Sequence, residues 1–146
     1  IIGEGQLKDE ISSLIKLNAL ENNIKLLGGK SHLDIREELW KSDIFLMTSI
    51  TFKNQIRETQ GLVTLEAQAC GLPVVAFDSG GVMYTLENGK TGYLCEERNF
   101  EEYANAIEKL IQESGLREKF GDNAENFVKD KYSKIVISDK WKEIYG

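Results

Sequence analysis

The sequence is short of the residues that most catalytic and metal chemistry draws on. It contains one histidine, His32, and two cysteines, Cys70 and Cys95, among 146 residues. No Ser/His/Asp set stands out, and no His, Cys, Asp or Glu cluster has metal-ligand spacing. The cysteines make no CxxC pair and sit in apolar surroundings, which reads as reduced core thiols of a cytosolic protein. His32 falls at a predicted helix start, where a lone histidine reads as a surface or capping residue. No apolar run approaches the ~18 residues of a membrane span. No block of five like charges occurs and the net charge is −6, which argues against a nucleic-acid partner, because phosphate-backbone binding leans on basic clusters. Gly3-Glu4-Gly5 lacks the third glycine of a dinucleotide fingerprint, so a nicotinamide cofactor is rejected. Internal repeats, low-complexity segments and flexible linkers are absent too.

What is present is a globular composition, 41% hydrophobic and 29% charged, in a length that suggests one domain with a real core. Ile1-Ile2 reads as the end of a strand, and Gly3-Glu4-Gly5 as the turn after it. With no Met at the start, the expectation is a piece of a longer protein, without its upstream neighbours. An amphipathic helix is predicted over 6–20, with Leu7, Ile11, Leu14, Ile15 and, at its end, Leu17 as candidates for the inward side. A short strand over 24–27 stops at Gly28-Gly29. Ser31 is the expected N-cap of a helix through Leu33, Ile35, Leu39 and Trp40. Residues 44–47 read as a strand buried on both faces. A polar loop over 48–60 leads to a helix over 62–70 and then to the buried strand Val74–Phe77.

A helical turn near 82–86 and a small strand over 93–95 follow. Helices over 100–113, 116–129 and 133–145 complete the chain, the last with Trp141 and Tyr145 as packing residues. Strand and helix alternate with short connections. This predicts an α/β fold: a doubly wound parallel sheet with helices on both faces and further helices at the C-terminus. Ligands in such folds bind beyond the carboxyl ends of the strands. The loops at 28–30, 48–61 and 78–82 define the expected site.

Two carboxylates stand out there. Glu58 precedes the helix over 62–70 and Glu66 lies inside it, with seven residues between them. That helix is nearly all apolar: Leu62, Val63, Leu65, Ala67, Ala69 and Cys70. Burying Glu66 in it requires a polar partner, from the protein or a ligand. Gly61 sits where the first helical amides have no intrahelical partner. The amides of Gly61, Leu62 and Val63 therefore form a candidate phosphate site. If the whole span were helical, the two glutamates would lie about 12 Å apart along the axis. That exceeds the roughly 5–9.5 Å of paired glycosidase carboxylates. Two separate contacts to one extended ligand fit better than an acid/base couple. A helix N-terminal acid for Glu58, an internal ion pair for Glu66 and a plain turn for Gly61 remain alternatives at this point. A tight strand-to-helix turn explains Gly80-Gly81 about as well as close approach to a ligand.

Residues 58–81, ETQGLVTLEAQACGLPVVAFDSGG, resemble the signature of the group 1 (family four) glycosyltransferases. That signature has two glutamates with seven residues between them, an Ala-rich helix, Gly-x-Pro-Val-Val-Ala and a double glycine. Ile1 to Gly5, Ile24 to Gly28, Ser42 to Ser49 and Asn88 to Leu94 resemble further elements of the same family. The likeness covers almost the whole chain.

The resemblance implies the C-terminal, Rossmann-like half of a two-domain GT-B enzyme. The N-terminal acceptor domain and the first strand-helix unit would lie outside residues 1–146. The implied activity is transfer of a sugar from a nucleotide-sugar donor to an acceptor hydroxyl, with retention and without an essential metal or other cofactor. The acceptor would be a saccharide or lipid-linked saccharide, bound through the N-terminal domain, in polysaccharide or glycolipid biosynthesis. A cytoplasmic location, with peripheral association of the full-length protein at the inner membrane face, goes with that role. By position, Glu58 is the implied catalytic residue and contacts donor sugar hydroxyls. Gly61, Leu62 and Val63 offer amides to sugar and diphosphate, and Glu66 accepts ribose hydroxyls. Gly28, Gly29 and Lys30 flank the base.

Gln60 stands where the family usually has Phe, and Tyr84 where it commonly has Glu. The family's phosphate-binding Arg and Lys lie upstream of Ile1, so residues 1–146 alone are expected to be inactive and to bind nucleotide weakly. Two alternatives remain. A sugar-nucleotide epimerase of the same fold would show a different carboxylate placement. A non-catalytic flavodoxin-like regulatory domain would need an acidic cluster at strand ends, where Asp43 and Asp78 stand isolated.

Overall fold

The computed structural model describes residues 1–52 and 58–146; part of the loop expected over 48–60, residues 53–57, lies outside the described residues. The chain divides into two compact units, Ile1–Glu38 and Leu39–Gly146.

In the N-terminal unit, α1 spans Lys8–Leu17 and buries Ile15. Ile11 is half-buried, whereas Leu7, Leu14 and Leu17 are exposed, so the inward stripe is narrower than the spacing predicts. The strands expected at Ile1-Ile2 and over 24–27 reduce to one isolated parallel bridge, Ile2 to Gly28. With only the Leu27–Ile1 and Gly3–Gly28 main-chain bonds beside it, this bridge is too short a ladder to register as a strand pair. Helix α2, His32–Trp40, runs across the division between the units. Ser31 caps it as expected: its Oγ accepts the Asp34 N–H at 3.3 Å, and Asp34 Oδ2 accepts the Ser31 N–H at 3.3 Å. This reciprocal arrangement is a capping box with Asp in the returning position. His32 is the exposed first residue of the helix.

The C-terminal unit is built on three parallel strands in the order β1-β2-β3: Phe45–Met47, Val74–Phe77 and Gly92–Cys95. Every residue of central β2 is buried. Val75 and Phe77 face a cluster made with Cys95, Tyr103, Leu110 and Phe120. Val74 and Ala76, which alternation turns to the other face, are also fully buried. A continuous Val-Val-Ala-Phe run is what burial on both faces demands. Edge strand β1 departs from that expectation, with Leu46 exposed.

Helix α3, Leu62–Ala69, connects β1 to β2 in sequence and contacts both. Helix α4, Phe100–Gln112, is capped by Asn99, whose side chain accepts the Glu102 N–H, and packs on β2 and β3. Tyr103 of α4 donates its buried hydroxyl to the Val75 carbonyl at 2.9 Å, tying helix to sheet. Helices α5, Ser114–Tyr132, and α6, Lys134–Tyr145, follow. The packing role expected for Trp141 and Tyr145 does not hold: both are exposed and stack on each other at 5.2 Å. Helix α6 buries none of its residues, so its aromatic residues have no core to enter.

Candidate functional site

In the C-terminal unit, the segments leaving the carboxyl ends of the strands are stitched together by main-chain and side-chain bonds. The Gly81 N–H donates to the Glu58 carbonyl at 2.9 Å, and the Asp78 N–H donates to the Cys95 carbonyl at 2.8 Å. Thr51, after β1, donates its hydroxyl to Glu97 at 2.7 Å and its N–H to the same carboxylate at 2.8 Å. The Thr51 hydroxyl holds the Glu97 carboxyl below its ordinary value. Arg98 donates to the Thr51 carbonyl from a left-handed backbone (φ 69°).

The central feature is the start of α3. Gly61, its N-cap, has φ 64° and ψ 35°. A Cβ at Gly61 would also stand 3.3 Å from Thr85 Oγ1, so conformation and space both call for glycine. Glu58 Oε1 accepts the Gly61 N–H at 3.0 Å and the Gln60 N–H at 3.3 Å. A carboxylate here is favoured by the unpaired amides and the helix dipole. The structure thus brings Glu58 and Gly61 into direct contact, and Glu58 fills the first position of the amide site expected at Gly61. Gly81 is equally constrained, since a Cβ there would lie 2.0 Å from the Thr59 carbonyl oxygen. The double glycine therefore serves a close backbone approach within the protein.

The buried carboxylate expected at Glu66 is not found. Glu66 is exposed and makes no hydrogen bond or ion pair among the described residues. The inward face of α3 is Thr64, Ala67 and Gln68, an i, i+3, i+4 set. Glu66 falls on the other side with Leu62 and Val63, which precede it by four and three positions and are 56% and 43% exposed. Three of the predicted site residues thus share the exposed face of one short helix, beside the Glu58-capped end.

The buried polar residue of α3 is Gln68, which the sequence reading missed. Its Nε2 donates to the Thr64 carbonyl at 3.1 Å and to the Thr85 carbonyl at 2.5 Å. The available signal was the i, i+4 pair of polar residues, Thr64 and Gln68, within an apolar run.

Gly28, Gly29 and Lys30 belong to the N-terminal unit. Gly28 has φ 69°. Glu4 accepts the Gly29 N–H at 3.1 Å and pairs with Lys8 at 3.1 Å. The Lys8 ammonium, then the Gly29 amide, hold the Glu4 carboxyl below its ordinary value. Lys30 pairs with Glu38 at 3.4 Å.

No group of three or more His, Cys, Asp and Glu able to hold a metal ion occurs among the described residues. Among them, too, no helix is long and apolar enough to cross a membrane.

The family model for glycosyl transferases group 1 matches residues 1–127. The chain belongs to that family. Group 1 relatives align along its full length. It is 30% identical over 145 residues to an N-acetyl-alpha-D-glucosaminyl L-malate synthase of Bacillus anthracis, covering 99% of the chain and 36% of the relative. It is 34% identical over 147 residues to a poly(ribitol-phosphate) alpha-N-acetylglucosaminyltransferase of Staphylococcus aureus (strain COL), covering 100% of the chain and 28% of the relative. Among solved structures, S. aureus TarM in complex with fondaparinux, alpha-GlcNAc-glycerol and UDP superimposes with a TM-score of 0.82 at 31% identity, over 100% of this chain and 28% of that one. Anabaena HepE in complex with UDP-glucose gives a TM-score of 0.82 at 28% identity, over 99% of this chain and 39% of that one. The chain thus spans about a third of the length of these group 1 relatives. The α/β fold with a parallel sheet expected from the sequence is the fold of these glycosyltransferases.

Proposed function

We propose that the chain is the donor-binding half of a retaining glycosyltransferase. The whole protein moves a sugar from a nucleotide-sugar to an acceptor hydroxyl without an essential metal. The observation that carries the reading is the exposed α3 face of Leu62, Val63 and Glu66 beside the Glu58-capped helix start, in a group 1 family member. The Leu62 and Val63 amides of the first turn and the helix dipole suit a diphosphate. A free carboxylate one turn on suits a ribose diol, because an ionised carboxylate accepts from two hydroxyls. Glu58 stands where it can exchange the Gly61 amide for donor sugar hydroxyls, and is the proposed catalytic residue. In the N-terminal unit, Gly28, Gly29 and Lys30 flank the base. The relatives include enzymes of capsular polysaccharide and amylovoran biosynthesis, which supports a polysaccharide or glycolipid pathway and a saccharide or lipid-linked saccharide acceptor. A cytoplasmic enzyme associated peripherally with the membrane is the location we propose for that role.

Thermal shift of the whole protein with nucleoside diphosphates tests the site. Stabilisation that Glu66→Ala abolishes supports it. Equal stabilisation of both proteins overturns it.

A further inference from the structure

We propose that Thr64, Gln68 and Thr85 form a positioning device that locks the start of α3 to the 3₁₀ turn Gly80–Tyr84, and so sets the geometry of the donor site. The inference rests on the donor-site reading above. The three side chains are 0%, 0% and 3% exposed, in a unit whose other large core residues are mostly apolar. Thr64 Oγ1 meets the Gly61 carbonyl and Thr85 Oγ1, each at 2.6 Å, and Thr85 Oγ1 meets the Val82 carbonyl at 2.7 Å. These contacts run from the residue that opens α3 to the turn that contains Gly81. Gln68 closes the network from below, bridging the Thr64 and Thr85 carbonyls with its amide nitrogen. The two segments also meet directly, through the bond from the Gly81 N–H to the Glu58 carbonyl.

Two features set this cluster apart from ordinary packing. The two hydroxyls carry one proton each, yet make three short contacts, so one contact always lacks its proton. Gln68 Oε1 is buried with no partner among the described residues. Turning the amide over would set its oxygen against two carbonyls. A buried polar group left unsatisfied works against stability, so Gln68 is kept at a cost in Oε1 for the two carbonyls that its Nε2 holds. Gln68 therefore suits the bridge better than it suits the core. The positions it links are those from which Glu58, Gly61 and the first-turn amides would meet the donor. A displacement of about an ångström there is enough to weaken catalysis strongly.

The test uses the whole protein and four variants, with nucleoside diphosphate affinity by calorimetry, the split between KM and kcat, and the melting temperature. Gln68→Met and Thr85→Val should weaken diphosphate binding by roughly tenfold at temperatures where both remain folded, more than their change in melting temperature accounts for. Thr85→Ser, which keeps the hydroxyl, should restore affinity. Glu66→Ala reports on the site itself. Loss of affinity in Glu66→Ala with wild-type affinity in Gln68→Met and Thr85→Val overturns the positioning role and leaves the site reading intact. Wild-type affinity in Glu66→Ala overturns the site reading, and the positioning role with it. A loss of affinity that follows the loss of stability, with no rescue by Thr85→Ser, makes the cluster structural only and also overturns the proposal.

Discussion

Glu58 Oε1 accepts the Gly61 N–H at 3.0 Å, so the first amide of the proposed diphosphate site is satisfied by the protein's own carboxylate. Glu58→Ala then has two consequences. Loss of the charge-assisted bond at the helix start should lower stability by about 1 kcal/mol, read in urea titrations. Loss of the donor-sugar contact should lower kcat at least as much as it raises the donor KM. A Glu58→Ala variant with wild-type turnover would remove Glu58 from the chemistry and leave it a helix cap.

Glu66 offers a cleaner separation, because it is exposed and has no partner among the described residues. Glu66→Ala should leave stability within about 0.5 kcal/mol of wild type. Donor affinity should fall, with kcat affected less. Calorimetry with a nucleoside diphosphate beside a thermal melt checks both halves. A large drop in melting temperature would give Glu66 a structural role that its exposed position does not account for.

The two glutamates also mark where sequence reading reached and where it stopped. Val74–Phe77 was legible to the residue, because only a strand buried on both faces needs such a run. The α3 helix was legible, but its inward side was not. With apolar residues on nearly every side, hydrophobic periodicity gives no direction, and Glu66 was turned inward when Gln68 holds that place. Leu46 and the residues of 24–27 failed for a related reason. Apolar content indicates a strand, but only neighbouring strands decide whether it is covered or forms at all. The Thr64–Thr85 contact joins residues 21 apart, and no local pattern announces it.

Gly81 tests the stitching of the loops directly. A methyl group there would lie 2.0 Å from the Thr59 carbonyl oxygen, and backbone rather than a flexible side chain would have to move. Gly81→Ala should cost about 1–3 kcal/mol and weaken donor binding, as the Glu58 segment shifts with Thr59. Denaturation together with a binding isotherm checks this, and unchanged values for both would contradict the close approach.

Glu97 gives a pH prediction. The Thr51 hydroxyl, opposed by partial burial and helped by the Thr51 amide, holds its carboxyl below the ordinary value of 4.5. A carboxyl depressed in the folded state contributes stability above its unfolded value and loses it as pH falls through its folded one. Glu97→Gln should therefore lower the melting temperature at pH 7. The gap to wild type should narrow from about pH 4.5 downward. Melting curves that stay equally separated down to pH 3 would detach the effect from Glu97 ionisation.

Cys95 closes β3 inside the core cluster with Val75, Phe77 and Tyr103, and burial first, then the nearby Glu102 carboxylate, push its thiol up to about 11. The thiolate is the reactive form, so at pH 8 about one molecule in a thousand carries it at this position. Cys70, at the C-cap of α3, is only half-buried. Alkylation of the native chain at pH 8 should leave Cys95 unmodified for as long as the fold persists, and denaturant should expose it. Leu110→Ala should hasten its labelling, since Leu110 is fully buried in the same cluster and its loss leaves a cavity worth about 2–5 kcal/mol. Mass spectrometry of the modified peptides separates the two thiols. Rapid native labelling of Cys95 would mean that the α4 face of the sheet opens far more often than its packing allows.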